Sequence, residues 1–121
     1  MIQAARPLRP KITYGEILGK IIEHRRKQLE LTQEPFAQSL GITQSGYSRI
    51  EKGLTAVSVL QLQAIAAILQ SKPAILLNDA DRYAQLLRAQ GAEIVADRKD
   101  ASRAAFLIAL GFLVALLASS S

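Results

Sequence analysis

Residues 31–53, LTQEPFAQSLGITQSGYSRIEKG, leave this chain few ways to fold. Thr32 stands where it can cap a short helix, and Pro35 falls in the first turn, where no amide hydrogen is needed. Phe36, Ala37 and Leu40 share one face of that helix, and Gly41 ends it as a C′ glycine should. Thr43 caps a second helix, which Gly53 ends ten residues later. Two such helices, joined through a tight glycine turn, cross steeply and cannot bury both inner faces alone. They need other helices as a floor.

The flanking sequence supplies that floor. Thr13 and Glu16 have capping-box spacing, and Ile17, Leu18, Ile21 and Ile22 then recur at helical intervals, predicting a helix over about 14–29. Ser58 and Gln61 form a second capping box, from which Leu60, Ala64, Ile65 and Ile68 carry a fourth helix to about 69. Ser71, Lys72 and Pro73 signal a new start. Residues 74–77 fit one helical turn, Asp79 or Asp81 can restart a helix running to 87–90, and Gly91 ends it. Residues 92–96 fit a short strand or a helical turn equally well. Asp97 or Asp100 can cap the last helix. With no strand pattern of any length, the class is all-α: a five-helix domain, a connector and one C-terminal apolar helix. The boundaries are 1–13 for a basic N-terminal arm, 14–78 for the helical domain, 79–99 for a helical connector and 100–121 for the apolar helix.

Charge divides unevenly along the 121 residues. The net charge is +5, and residues 1–55 hold nine basic against five acidic side chains, a net of +4. A basic half favours an anionic partner, nucleic acid or a lipid surface. The arm carries Arg6, Arg9 and Lys11 with two prolines and no apolar run after them, so it is not a signal peptide. It reads either as a solvated leader or as an arm contacting phosphates or the minor groove. The chain has no cysteine, which excludes disulfides and thiolate metal sites. With three Phe, three Tyr and no Trp, an aromatic stacking platform is not expected. There is no Ser-His-Asp set, no phosphate loop and no carboxylate pair on an apolar face, so neither an enzyme, a cofactor nor a metal is expected. His24 has no partner at metal spacing and reads as an exposed helix residue.

The third helix separates two faces. Tyr47 and Ile50 point inward, with Leu54 just beyond, while Gln44, Ser45, Ser48, Arg49 and Lys52 lie opposite. That outer face holds donors and acceptors but no acid. Gln can bond an adenine edge bidentately, Arg a guanine edge and Ser either, and such a helix fits the major groove. Gly46 leaves room for close approach.

These residues resemble the lambda-repressor-like (Cro/C1, XRE-type) helix-turn-helix DNA-binding family. The match runs over about 14–78. It rests on Leu31-Thr32-Gln33-Glu34, Ala37, Leu40-Gly41-Ile42, Gln44-Ser45, Ser48-Arg49-Ile50-Glu51 and Gly53, with Leu18-Gly19, Ile22 and Arg26 in the first helix. The resemblance implies base contacts from Gln44, Ser45 and Arg49. It implies backbone contacts from Gln33, Thr43, Ser48, Lys52 and Arg25, with Gln33 also bracing Gln44. Arg26 and Glu51 correspond to an internal ion pair. Two departures stand out. The family usually has glycine where this chain has Glu30, so the first link is expected to be looser or longer. It often has an apolar residue where this chain has Arg25, which adds a phosphate contact or marks a shallow core edge.

Residues 104–118, AAFLIALGFLVALLA, are hydrophobic at fourteen of fifteen positions, and nothing after Arg103 is charged. Eighteen uncharged residues span about 27 Å as a helix, just short of a hydrocarbon core of about 30 Å. Arg98, Lys99 and Arg103 on the N-terminal side would orient an anchor with its N-terminus inside. Apolar on every side, the segment fits either an anchor in a lipid bilayer or the core of a homodimer.

The expected protein is a sequence-specific regulator of transcription. It binds double-stranded DNA as a homodimer in the bacterial cytoplasm, with the inner membrane as a further location if the tail inserts. The alternatives are a membrane-tethered adaptor whose helical domain binds protein, and an antitoxin or phage-type repressor acting as a soluble dimer.

Overall fold

The computed structural model describes residues 8–120. Arg6 and Pro7 of the expected arm lie outside the described residues. The elements run β1 (Lys11–Thr13), α1 (Tyr14–Gln28), α2 (Glu34–Leu40), α3 (Gln44–Glu51), α4 (Val59–Ile68), α5 (Pro73–Ala89), β2 (Glu93–Val95), one 3-10 turn (Arg98–Asp100) and α6 (Arg103–Ser120). The architecture is helical, as expected, with one small addition. β1 and β2 pair in parallel, Lys11 opposite Glu93, Ile12 opposite Ile94 and Thr13 opposite Val95. Of the two readings open for residues 92–96, the strand is the one that forms, while β1 falls in the expected arm, where three residues are too short for a period-two pattern to show. Part of the expected free arm is therefore tied into the fold, with Ile12 buried in the core.

Both capping boxes form. Thr13 Oγ1 accepts from the Glu16 amide at 3.0 Å while Glu16 Oε1 accepts from the Thr13 amide at 2.9 Å. Ser58 and Gln61 exchange the same pair of bonds at 3.1 and 2.9 Å. Other starts differ from the sequence expectation. Helix α2 is entered through Gln33, with no side-chain cap, and Thr32 lies outside it. Helix α5 runs unbroken through Asp79 and Asp81, because both carboxylates are used against α1. Asp79 accepts from Arg25 at 2.6 Å, and Asp81 accepts from the Tyr14 hydroxyl at 2.7 Å. Asp97 caps the 3-10 turn by accepting from the Lys99 amide, and Ser102 accepts from the Ala105 amide at the start of α6. Leu60, expected inside, is 77% exposed.

Helix α1 is the floor on which α3 and α5 rest. Gly19 makes the α1–α3 approach feasible, since a Cβ there would sit 2.7 Å from the Ile50 carbonyl oxygen. The link after α1 is neither looser nor longer despite Glu30. That residue adopts the left-handed φ of 57° that a glycine would, and Glu30 and Leu31 amides return to the Lys27 and Arg26 carbonyls.

The apolar tail is part of this core. Ala105, Ala109, Leu113 and Leu117 of α6, spaced by four, are buried against β1, α1 and α5. The two alanines let the helix sit close and the two leucines fill the space beyond. Among the described residues, no single helix is long and apolar enough to cross a membrane. The structure thus lends the bilayer anchor no support: the face expected to meet lipid tails is half consumed by the domain.

Candidate nucleic-acid interface

Helix α3 begins at Thr43, whose Oγ1 accepts from the Gly46 amide at 3.0 Å. Thr43 is thus a cap. A Cβ on Gly46 would approach that Oγ1 at 3.3 Å, so the cap itself favours a glycine there. Tyr47 and Ile50 are buried as expected, and the Tyr47 ring stacks on Phe36 of α2 at 5.1 Å between centroids. This stack fixes the angle between the two helices of the turn. Leu54 departs from the expectation and is 39% exposed.

Opposite the stack, Gln44, Ser45, Arg49 and Lys52 are exposed and Ser48 is half-buried. With Gln33 and Leu54 they line one open cleft. Neither Arg49 nor Lys52 is engaged in an ion pair among the described residues. The face therefore presents two uncommitted cations, an amide and two hydroxyls, with no carboxylate among its lining residues.

This face is braced from below. Arg26 of α1 donates through Nε to Glu51 Oε2 at 2.7 Å and through Nη2 to Glu51 Oε1 at 3.0 Å, and its Nη1 holds the Leu31 carbonyl at 2.8 Å. Gln33 Nε2 donates to Glu51 Oε1 at 3.0 Å, and Gln44 Nε2 donates to Gln33 Oε1 at 3.4 Å. A chain of bonds thus runs from a buried ion pair to the exposed amide of Gln44. The sequence pointed to both ends, Arg26–Glu51 and Gln33–Gln44. The joining contact, Gln33 to Glu51, spans eighteen positions, and no local spacing signals it. Burial raises the Tyr47 phenol well above its ordinary range, and the nearby Glu51 carboxylate adds to this. Tyr47 is therefore a neutral wall of the ion-pair site.

Other candidate residues are elsewhere. Arg25, expected to contact phosphate, is half-buried and bound to Asp79, in a hollow it shares with His24, Arg82 and Leu117. His24 is itself only partly exposed. Arg9 and Lys11 of the expected arm face Glu93 at 4.0 Å each. Arg98 lies 3.7 Å from the buried Glu16 carboxylate and over the Phe106 ring. Glu23 sits between Lys20 and Lys27. Burial pushes its carboxyl upward, but bonds from the two lysines outweigh this and the net shift is downward.

Comparison with known proteins agrees with this geometry. A family described as helix-turn-helix matches residues 22–76. The control protein C.MunI of a Mycoplasma species is 33% identical over 72 residues, which cover 60% of this chain and 93% of that protein. The crystal structure of the clp gene regulator ClgR from Corynebacterium glutamicum superposes with a TM-score of 0.60 at 25% identity, over 64% of this chain and 82% of that one. The restriction-modification controller protein C.AhdI from Aeromonas hydrophila aligns over 50% of this chain and 92% of its own, at 26% identity and a TM-score of 0.47.

Proposed function

The chain belongs to the helix-turn-helix family of Cro/C1 (XRE) type, and on that footing we propose that it is a DNA-binding regulator of transcription that reads sequence with α3. The observation that carries this reading is the outer face of α3, polar, free of acid and braced at Gln44 through Gln33. Gln44 and Ser45, in the first turn, reach base edges in the major groove, and Arg49 reads a base one turn further on. Lys52, Ser48 and Gln33 meet phosphates at the edge of the same face. Arg25 is left out of this set, because its guanidinium is already bonded to Asp79. The names of its relatives, a control protein and a gene regulator, fit a regulatory role.

The test is duplex binding by fluorescence anisotropy on a site selected from random sequence. Gln44→Ala or Arg49→Ala should cost about 1–3 kcal/mol on the selected site and relax its base preference, whereas Lys52→Ala should weaken all duplexes alike and lower the salt slope by about 1. Binding that ignores salt, or variants that bind every sequence as the parent does, would overturn the proposal. A flat salt response with retention of a protein ligand would favour the adaptor.

A further inference from the structure

A cavity of about 250 Å³ lies between α1, the end of α3 and the first turns of α6. Its apolar walls are Leu54, Phe106 and Leu110, and Glu16, Lys52 and Arg98 bring charge to it. The carboxylates of Glu23 and Glu51 also border it, but both are engaged. Glu23 accepts from Lys20 and Lys27, and Glu51 accepts from Arg26 and Gln33. Glu16, Arg98, Phe106 and Leu110 all lie outside the matched family segment 22–76.

Glu16 is the unusual member of this lining. It is 3% exposed and fixed from two sides. The Thr13 amide donates to its Oε1 at 2.9 Å, and Gly53 packs so closely that a Cβ there would lie 2.7 Å from Glu16 Cγ. Its Oε2 is buried with no hydrogen-bond partner among the described residues. A buried carboxylate oxygen without a donor is costly. Arg98 Nε faces it at 3.7 Å, beyond hydrogen-bond reach, with the guanidinium 4.9 Å above the Phe106 ring. The Arg98 side chain is 46% exposed, so water already reaches it. Arg98 is thus a tethered cation held short of the oxygen that needs one.

We propose that this cavity is an effector site for a small organic cation, an ammonium or guanidinium group carried on a short apolar body. The cationic head takes the place of Arg98 over the Phe106 ring and donates to Glu16 Oε2 at about 2.7–2.9 Å, the range of a charge-assisted bond. A free ligand can make the approach that Arg98 does not. Its body lies against Leu54 and Leu110. The volume falls just below the roughly 300–1,000 Å³ of sites for drug-sized ligands, which limits the body to a small aryl or alkyl group. Lys52 and Leu54 also line the open cleft on the outer face of α3. A bound cation therefore adds positive charge beside that cleft, and should tighten duplex binding. By linkage the duplex tightens the cation by the same factor. This coupling rests on the DNA-binding reading, while binding of the cation does not.

Isothermal titration calorimetry of the full chain without DNA tests the site apart from that reading. The probe is phenethylamine, with phenethyl alcohol and hydrocinnamate as its uncharged and anionic counterparts. Phenethylamine should bind and the other two should not. Glu16→Gln keeps the Oε1 acceptor of the capping box, and should weaken the probe by about ten- to a hundredfold. Arg98→Ala removes the tethered competitor and should tighten it. A parent chain that does not take phenethylamine, or takes hydrocinnamate as well, would overturn the proposal. So would Glu16→Gln binding as the parent does, or Arg98→Ala binding more weakly. In fluorescence anisotropy at low salt, saturating phenethylamine should tighten duplex binding a few-fold for the parent and not for Glu16→Gln. Unchanged duplex affinity in a parent that binds both would overturn the coupling.

Discussion

Helices α3 and α6 each bury one face and show the other, but what they show is opposite. Helix α3 has eight residues, anchors itself through Tyr47 and Ile50, and presents amide, hydroxyl and cationic groups. Helix α6 has eighteen residues, anchors itself through Ala105, Ala109, Leu113 and Leu117, and between Arg103 and Ser119 presents only apolar carbon and one glycine. The first is specialised for an anionic, hydrogen-bonding partner and the second for an apolar one. Their means of support differ as well. A polar network braces α3, so its exposed groups are oriented. Close packing holds α6, so its inner face is fixed and its outer face is unconstrained.

The largest expected break in this contrast lies beneath α3. Arg26→Ala leaves Glu51 buried without its cation and should cost about 3–5 kcal/mol in chemical denaturation. Replacing both partners by apolar residues should cost much less, while DNA affinity still falls because Gln33 and Gln44 lose their brace. If Arg26→Ala is neutral, the bracing argument fails.

Next comes the claim that α6 is core. Leu113→Ala should destabilise the domain by about 2–5 kcal/mol, whereas Leu107→Ala, one helical face away, should stay within about 0.5 kcal/mol. Equal effects at the two sites would mean that α6 does not pack as described.

The smallest effect is on the alkaline side. Burial, then the bond to Asp81, pushes the Tyr14 hydroxyl up to about 12 from 10.0. A pKa raised on folding means that the folded state keeps its proton longer. The resulting stability is fully present below pH 10 and is lost as pH rises from 10 through about 12. The unfolding free energy of the parent should therefore fall faster over that window than that of Tyr14→Phe. Parallel curves would refute the Tyr14–Asp81 bond as a link between α1 and α5.

Much of the α3 side was legible in the sequence because its signals are local. Capping boxes, a C′ glycine and inward spacing all act within four residues, and they located α1, α3 and α4 closely. Glu30 shows the limit of a residue rule. Its identity argued for a loose link, but the chain holds it in the left-handed region because the Lys27 and Arg26 carbonyls need donors there. Helix α6 was found, but which of its sides packs inward was not. When every residue is apolar, periodicity cannot separate an inner from an outer face, and only the position of β1, α1 and α5 makes that choice. The β1–β2 pairing was missed for the opposite reason: β2 was one of two readings for residues 92–96, but three residues in β1 carry too little pattern to show its partner.

That ladder also bears on how the chain reaches its native state. Closing a loop of roughly eighty residues costs about 4 kcal/mol in chain entropy, more than a three-residue ladder alone can offset. The strands can join only after the helices between them have collapsed and brought the two ends together. The ladder is therefore a late event in folding. Once formed, it latches residues 11–13 to the segment leading into α6, so the long-range contacts raise the contact order of a protein whose helices would otherwise assemble locally.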